Sequence, residues 1–599
     1  MGVLILWSSI PFFYLFRKMY GTFVAIHSNL IEMKKIFLLG CGFFLLSCNS
    51  PSAENRLESI IAAYENYQGV GKETPLGIYT EERFESYANF CDSLKTKLED
   101  INPKILDNNA RISHTLLHFV LNETVKRYQF KMHWNPILSD AGFHSSLTYR
   151  VRPLTNKESA LNYLKLLKAI PEYIEQQKSL IKKGLEAGMG QPLVIFKGYE
   201  TTYDQHITAT AEENFYYSPF LQLPSQLSNA EKDSLQIAAK TVITEDVIPA
   251  FKSVKHFFEK TYYPNTRNAI GVSQTPNGAA YYQSRIDFYT TLKETPKSIH
   301  EKGLNEVARI RKQMEAIIKA VNFKGNMGQF IDFLRTDPQF YANTPEELLK
   351  HARNIAKKLD EQLPRYFKTL PRKPYGVAPV PDAIAPKYTA GRYIGTSKES
   401  TDPGYYWVNT YDLPSRPLYA IPSLTAHEAV PGHHLQGALN NELPESIPKF
   451  RRDLYLSAYG EGWGLYTEFL AEAMGIYNTP YEHFGKLTYE MWRACRLVVD
   501  TGIHAFGWTR DQAVTFMAEN TALSIHEINT EVDRYISWPG QALAYKIGEM
   551  KIRELRQKAE KKLGNKFDIR EFHEVVLEQG TVTLPLLEER INNYIQSNK

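Results

Sequence analysis

Apolar residues recur with a helical period along most of the chain. They stand three and four positions apart with Lys and Glu between them, the pattern of helices that bury one face. A loop over 268–282 interrupts this pattern, and Thr-Pro pairs mark two helix starts, at 295 and 344. The predicted helices cover residues 84–98, 160–187, 230–262, 296–321, 344–363, 454–474, 481–504, 510–521, 525–535, 541–563 and 568–579. The sequence therefore predicts a mainly α-helical fold.

The pattern changes between residues 372 and 423. Proline is frequent there, and short runs rich in β-formers occur at 387–390 and 405–409. They predict a small β element just before a helix that carries several histidines. Such an element can offer an edge strand to an extended peptide, or it can be a hairpin that covers the core. The sequence leaves both roles open.

The N-terminal region has the features of a bacterial lipoprotein. Met33-Lys34-Lys35 precedes an apolar run over 36–46, and Leu45-Leu46-Ser47-Cys48 resembles the lipobox whose Cys is lipidated. We predict that 1–32 is a mis-assigned upstream start, 33–47 a signal peptide, 48–75 a tether and 76–599 a single large helical domain. The protein would be exported and anchored through Cys48, facing the periplasm or the cell surface. The alternative, a membrane segment over 4–23, is interrupted by Pro11, Arg17 and Lys18.

Composition narrows the classes of partner and metal site. The chain has 43% hydrophobic and 23% charged residues and a net charge of +4, as in folded globular proteins. Since there is no long basic run, nucleic acid is not an expected partner. After Cys48 the remaining cysteines are Cys91 and Cys495, and neither is in a C-x-x-C pair, which excludes a thiolate metal site. A single disulfide between them stays open, and the oligomeric state is not indicated.

Candidate chemistry is concentrated around residues 425–461. In a chain with 16 His, this stretch holds His427, Glu428, His433, His434 and Glu461. The layout is typical of zinc hydrolases, in which one Glu activates water while two His and a second Glu hold the metal. The usual spacing is H-E-x-x-H on one helix face, and here Pro431-Gly432 lengthens it.

The spacing bears on the choice of ligands. On a regular helix His433 would point about 240° away from His427, whereas His434 would return to the same face roughly 10 Å along the axis. Pro431 cannot donate to the carbonyl of His427, so a straight helix is not expected. An excursion at Pro-Gly would bring His433 to the position of a second ligand, and we favour His427 with His433. A straight helix with His427 and His434 is the alternative.

A third ligand and several catalytic groups are predicted downstream. Glu461 is preferred over Glu468 as a ligand because it lies between two glycines, which allow close approach. His504 shares a helix face with Arg496 and Asp500, which suits a proton donor or an oxyanion contact, or else a surface row of ion pairs. Tyr535 and Tyr545 could stabilise an oxyanion or pack in the core. A nearby Arg or Lys could pair with a terminal carboxylate.

These motifs together resemble a bacterial family of unknown function, DUF885. The resemblance is carried by Asp412-Leu413-Pro414-Ser415-Arg416, by the segment from His427 to His434, by Gly460-Glu461-Gly462-Trp463, and by the stretches 496–504 and 539–546. It implies a large helical fold similar to gluzincin-type zinc metallopeptidases. We therefore expect a zinc-dependent peptidase acting on short peptides, with Glu428 as general base. The alternative is a non-catalytic peptide- or metal-binding lipoprotein, which has no need of a base beside a ligand.

Overall fold

Helix starts coincide with small polar residues whose side chains accept hydrogen bonds from first-turn amides. Reciprocal capping boxes are formed by Asn156, Ser228, Asn326, Thr479 and Thr509 with the residue three positions on. The computed structural model describes residues 52–68, 74–382, 384–385, 388–398 and 400–599. The predicted upstream start, the signal peptide, Cys48 and the alternative segment 4–23 lie outside these residues.

The first half of the described chain is helical. Its helices are α1 (Ala53–Gln68), α2 (Glu81–Glu99), α3 (Asn108–Gln129), α4 (Lys157–Lys168), α5 (Ile170–Glu186), α6 (Thr201–Asp204), α7 (Asn229–Val242), α8 (Ile248–Phe257), α9 (Gly278–Thr290), α10 (Pro296–Ala320), α11 (Met327–Thr336) and α12 (Pro345–Tyr366).

Prolines explain where these helices depart from the predicted ones. The helix predicted over 160–187 divides into α4 and α5 at Ala169, because Pro171 lacks the amide that would continue the first helix. The helix predicted over 230–262 is continuous but contains π turns at Ile243–Val247 and Phe258–Tyr262, just before Pro249 and Pro264.

A three-stranded sheet follows, with strands β1 (Tyr375–Pro379), β2 (Gly391–Ile394) and β3 (Gly404–Val408). Their order is β1-β3-β2; β3 is parallel to β1, with Tyr375 beside Gly404, and antiparallel to β2, with Gly391 beside Val408. The strand expected at 387–390 is wrong by several residues: β2 starts at Gly391, where pairing with β3 begins. The run at 405–409 corresponds to β3, and β1 was not predicted.

The second half returns to helices: α13 (Ile421–Glu428), α14 (His433–Asn441), α15 (Lys449–Arg452), α16 (Ser457–Ala473), α17 (Pro480–Phe506), α18 (Arg510–Asn520), α19 (Ile525–Ser537), α20 (Ala544–Leu563), α21 (Ile569–Leu577) and α22 (Leu584–Ser597). Helices α16 and α20 cross where glycine faces glycine, since a Cβ on Gly462 would lie 2.6 Å from the backbone of Gly548. The predicted fold class, mainly α with a small β element before the histidine helix, is confirmed.

Residues Leu57–Lys599 form one compact unit. Leu57, Ile60, Ile61 and Tyr64 of α1 are buried, and Tyr64 packs edge-on against Phe450. Cys91 and Cys495 are buried free thiols, so the disulfide left open by the sequence is not formed. Among the described residues, no helix combines the length and apolar character needed to span a bilayer.

Candidate metal centre

The histidine helix breaks at the predicted place. Helix α13 ends at Glu428, the Val430–Pro431 peptide is cis, and α14 begins at His433. Gly432 passes so close to the end of α13 that a Cβ there would lie 1.8 Å from the carbonyl oxygen of His427. The indole of Trp463 donates to the carbonyl of Pro431 at 2.9 Å and ties the break to α16. Only glycine fits this crossing.

The break brings His427 and His433 together with Glu461. The ring centroids of the two histidines lie 4.8 Å apart with the rings nearly perpendicular. Oε2 of Glu461 lies 3.6 Å from Nε2 of His427 and 3.4 Å from Nε2 of His433, and the possible ligand atoms all lie within 4.8 Å of one another. Tetrahedral zinc with bonds of about 2.0–2.1 Å places its ligand atoms roughly 3.3 Å apart. The donor set and its spacing therefore fit zinc, with a fourth position left for water or substrate.

Glu461 reaches this cluster from the second turn of α16. Its second oxygen, Oε1, accepts a hydrogen bond from the hydroxyl of Tyr455 at 2.9 Å. The glycines of α16 allow the close packing: a Cβ on Gly464 would lie 2.7 Å from the ring of His427, and one on Gly460 would lie 2.4 Å from the ring of Tyr455. Glycine on α16 is thus needed at three successive even positions, 460, 462 and 464.

Glu468 contacts the opposite side of the His427 ring. Its Oε1 lies 2.8 Å from Nδ1 of His427, and its side chain is 2% exposed. This makes Glu468 a support for a ligand rather than a ligand, since a carboxylate on the far nitrogen fixes the tautomer and orientation of a metal-binding His. The competing choice of Glu468 as third ligand is not what the geometry favours.

The electrostatics of the cluster suit a cation. Burial lowers the pKa of His427, but hydrogen bonding to Glu461 and Glu468 outweighs it and raises the pKa to about 10. For the acid Glu461, burial acts in the opposite direction and raises the pKa. Hydrogen bonding to His427 and His433 nevertheless holds the pKa of Glu461 well below its usual value. The carboxylates thus stabilise positive charge at the point where the three ligand atoms converge.

Glu428 follows His427 directly and lines the cleft in front of the cluster. Its Oε2 accepts the backbone amide of Tyr393 in β2 at 2.8 Å. The general base predicted from the sequence is therefore held by the edge of the small sheet.

His434 points away from the cluster. Its Nδ1 lies 3.1 Å from the hydroxyl of Tyr393, and its ring packs against Tyr375 of β1. Burial lowers the pKa of His434 to about 4, so the ring is neutral. The straight-helix pairing of His427 with His434 is therefore not formed.

His504 is not brought to the cluster. Its Nδ1 accepts the amide of Val272 at 3.2 Å, and its Nε2 lies 2.9 Å from the carbonyl oxygen of Tyr535. Burial lowers the pKa of His504 to about 3, so a neutral ring with both nitrogens bonded to backbone cannot exchange protons with substrate. Nor is its helix face a surface row of ion pairs, because Asp500 is buried and accepts from Tyr282 at 2.6 Å and from the amide of Gly540.

The two predicted tyrosines differ in position. The hydroxyl of Tyr535 is occupied: it accepts from Trp492 and Arg496 and donates to Glu531 at 2.8 Å. Tyr545 lines the cleft with its ring over Arg496. Lys546, in contrast, is buried among Glu306, Glu490 and Glu549, each within 2.9 Å, so it cannot reach a substrate.

The cluster opens into a cleft of about 1290 Å³. One wall carries β2, and others carry α14, α16, α17 and α19. Sequence reasoning missed Tyr455 and Tyr393, which hold Glu461 and Glu428. Tyr455 stands six residues before its partner and gave a weak signal, whereas nothing in the sequence links Tyr393 to the histidines 34 or more residues later.

Comparisons place the chain among bacterial proteins of the same fold. It superposes on the crystal structure of a candidate lipoprotein from Colwellia psychrerythraea with a TM-score of 0.85 and 28% identity, over 91% of this chain and 100% of that one. A candidate lipoprotein of unknown function from Shewanella oneidensis shares the fold, with a TM-score of 0.65, 18% identity and coverage of 90% and 99%. No curated protein matches. The profile described as "Bacterial protein of unknown function (DUF885)" matches residues 63–591, so this protein belongs to the DUF885 family, as its motifs predict.

Proposed function

We propose that this protein is a zinc-dependent peptidase that hydrolyses short peptides. The observation that carries the proposal is that Oε2 of Glu461 lies 3.6 Å from Nε2 of His427 and 3.4 Å from Nε2 of His433 across a helix break, with Glu428 facing the same cleft. Two imidazoles and one carboxylate are a ligand set found in hydrolytic zinc sites, which keep one position open. A metal site that serves folding alone would normally be closed by a fourth protein ligand.

Zinc, when bound, supplies a Lewis acid that polarises the peptide carbonyl and lowers the pKa of water. The residues of the chain do the rest. With Oε2 held by the Tyr393 amide, Glu428 has Oε1 available to accept a proton from the attacking water. Addition of water and cleavage of the C–N bond yield a carboxylate and an amine, and the proton on Glu428 passes to the leaving nitrogen. Tyr545, which lines the cleft, is the candidate donor to the oxyanion.

The orientation of the outer edge of β2 is a second observation in favour of a peptide as the substrate. The carbonyl of Ala390 accepts the amide of Asn409, so residue 390 faces β3, and alternation along the strand turns Gly391 and Tyr393 outward. The Tyr393 amide does point at Glu428. An extended peptide paired along this edge would run past the general base. Of the two roles left open for the β element, we adopt the one in which its edge strand pairs with an extended peptide.

Export and membrane anchoring through Cys48 are part of the proposal. They are supported by Leu45-Leu46-Ser47-Cys48 and by the description of the 28% identical Colwellia protein as a candidate lipoprotein. An enzyme anchored on the periplasmic or outer surface would meet peptides outside the cytoplasm. Cys48→Ser should abolish lipid labelling and release the protein from the membrane fraction; a variant that remains membrane-bound and labelled would contradict the anchor.

The decisive experiment is Glu428→Gln. The change keeps the size and the bond to the Tyr393 amide but removes the proton acceptor, so hydrolysis of a peptide library should fall by about 10²–10⁴-fold with zinc content unchanged. The loss should appear in kcat rather than KM. If the zinc-loaded parent cleaves no peptide, or the variant cleaves as fast, the binding-lipoprotein alternative takes the place of the enzyme.

A further inference from the structure

One part of the cleft is rich in arginine. Arg416, Arg493, Arg496 and Arg534 line it, and we refer to these four residues as the arginine wall. Arg496 and Arg534 share one carboxylate, Glu531, at 2.9 and 3.5 Å. Arg493 approaches Glu468 at 3.7 Å, although that carboxylate already holds His427. Within the described residues Arg416 forms no ion pair of its own. The arginine wall thus carries more positive charge than its neighbours balance.

Two of these arginines are buried with donors unused. The side chains of Arg493 and Arg496 are 7% and 3% exposed, and no described protein group accepts from Nε of Arg493 or from one terminal nitrogen of Arg496. Stacking on aromatic rings holds both guanidinium groups in place. The centroid of the Trp492 ring lies 4.4 Å from the guanidinium carbon of Arg493 and 4.5 Å from that of Arg496, and the centroid of the Tyr545 ring lies 4.3 Å from that of Arg496. These two buried nitrogens do not themselves reach the cleft, but the guanidinium groups that line it are fixed in position, and their unbalanced positive charge favours an anionic ligand there.

The remaining carboxylate on this side is readily neutralised. Burial and the charge of Glu531 raise the pKa of Glu527 to about 7, against the nearby arginines, which lower it. The excess of positive charge therefore persists around neutral pH and grows when Glu527 is protonated.

The arginine wall begins next to the metal centre. Arg493 touches Glu468, which orients His427, and Arg496 lies one turn along α17, roughly 4.5 Å further on. Because the arginine wall lines the same cleft as His427, His433 and Glu461, a substrate with its carbonyl at the metal could present a carboxylate to these arginines.

We propose that the arginine wall binds the C-terminal carboxylate of the substrate, so that the enzyme removes a short C-terminal piece from a peptide. The inference rests on the proposed peptidase function and names its substrate class. The same chemistry would bind the side chain of an Asp or Glu, and the test separates these two sources.

The experiment compares matched peptides on the zinc-loaded full chain. One pair has the same sequence ending in Ala as a free acid or as an amide, and a third peptide is amidated but ends in Glu. The free acid should be cleaved with a kcat/KM about 10–100-fold above that of the amide, with a short C-terminal product by mass spectrometry. Equal rates for acid and amide, cleavage at internal sites, or an amidated Glu peptide that matches the free acid would each overturn the inference while leaving the peptidase in place.

Variants assign the effect to the arginine wall. Arg534 is 19% exposed, so Arg534→Gln should fold and should lower the acid-to-amide ratio about 10-fold, mainly through the acid. The matched control is Arg452→Gln, a cleft arginine of α15 outside the wall, which should leave the ratio unchanged. Failure of Arg534→Gln to change the ratio, despite a parent-like thermal midpoint, would refute the assignment.

A binding measurement keeps the inference independent of catalysis. Calorimetry with zinc-loaded Glu428→Gln should show tighter binding of the acid than of the amide. If no peptide is cleaved by the parent, the peptidase proposal fails, yet this preference would still support a carboxylate site. Equal binding of both peptides would refute the site itself.

Discussion

The tightest backbone approach at the site predicts that Gly432→Ala loses the metal. A Cβ on Gly432 would lie 1.8 Å from the carbonyl oxygen of His427, 2.4 Å from its carbonyl carbon and 2.5 Å from the oxygen of Ala426. All three neighbours are backbone atoms of α13, so no side chain can rotate away. To reach an ordinary contact of roughly 3.5 Å, the start of α14 must move away from α13 by more than about 1 Å.

That displacement is large for a metal site. Ligand distances in zinc sites hold to about 0.2 Å, and the next residue, His433, is one of the three proposed ligands. We expect zinc affinity to fall by at least about 100-fold, equivalent to about 2.7 kcal/mol. The clash should also destabilise the metal-free protein by roughly 1–3 kcal/mol.

The assay is competition for zinc against a chromophoric chelator, with the thermal midpoint measured with and without metal. Gly437→Ala, in the same helix α14, is the matched control. A Cβ on Gly437 would meet only the ring of Tyr393, at an ordinary contact distance of 3.5 Å. His434→Ala is the second control and should keep its zinc, since His434 bonds to Tyr393 instead. If Gly432→Ala binds zinc as tightly as Gly437→Ala, the excursion does not position His433 as described.

Two further changes test the surroundings of the site. Glu468→Gln removes the charge behind His427 and should weaken zinc binding roughly 10–100-fold, measured by chelator competition. The control Glu472→Gln, one turn further along the helix and half-exposed, should leave zinc affinity unchanged. If the two variants bind zinc equally tightly, Glu468 does not support the site as described. Burial raises the pKa of Asp500 from 3.8 to about 7, despite bonds from Tyr282 and Gly540 that lower it. The folded protein therefore binds this proton more tightly than the unfolded chain, and the associated stability, present below about pH 4, should be lost as the pH rises through about 7, by about 4 kcal/mol. The urea midpoint of Asp500→Asn should therefore rise relative to that of the parent as the pH increases from 5 to 8. A difference between the two midpoints that does not depend on pH would contradict this.

The sequence predicts most of the helical architecture because the helices bury one face and begin at caps and Thr-Pro pairs. It fails where backbone chemistry overrides periodicity, as at Pro171, which divides one predicted helix into α4 and α5. Helix α22 was missed although its apolar residues are buried. Strand β1 was missed because pairing with β3, not its own pattern, defines it.

The site follows the same division. The convergence of His427 with His433 could be predicted because proline and helix geometry disfavour a straight helix, and that of Glu461 because glycine permits close approach. The roles of His504 and Tyr535 could not be derived, since a residue on the correct helix face can be bonded to the backbone or to neighbouring side chains instead of facing the cleft. The sequence also could not separate the proposed ligand Glu461 from the supporting Glu468. In the structure Glu461 approaches Nε2 of His427, whereas Glu468 approaches Nδ1.

The Pro-Gly excursion has a consequence beyond ligand spacing. It gives adjacent residues opposite roles: His433 faces the metal ligands while His434 reaches the hydroxyl of Tyr393, whose amide holds Glu428. A single residue of β2 is thereby bonded both to the proposed base and to the helix that carries a ligand. In the usual H-E-x-x-H arrangement, base and second ligand share one continuous helix, which fixes their relative position. Here the helix is broken between them, and Tyr393 restores the connection from outside it. In the proposed enzyme the small sheet would therefore be part of the catalytic framework and not merely a cover for the core.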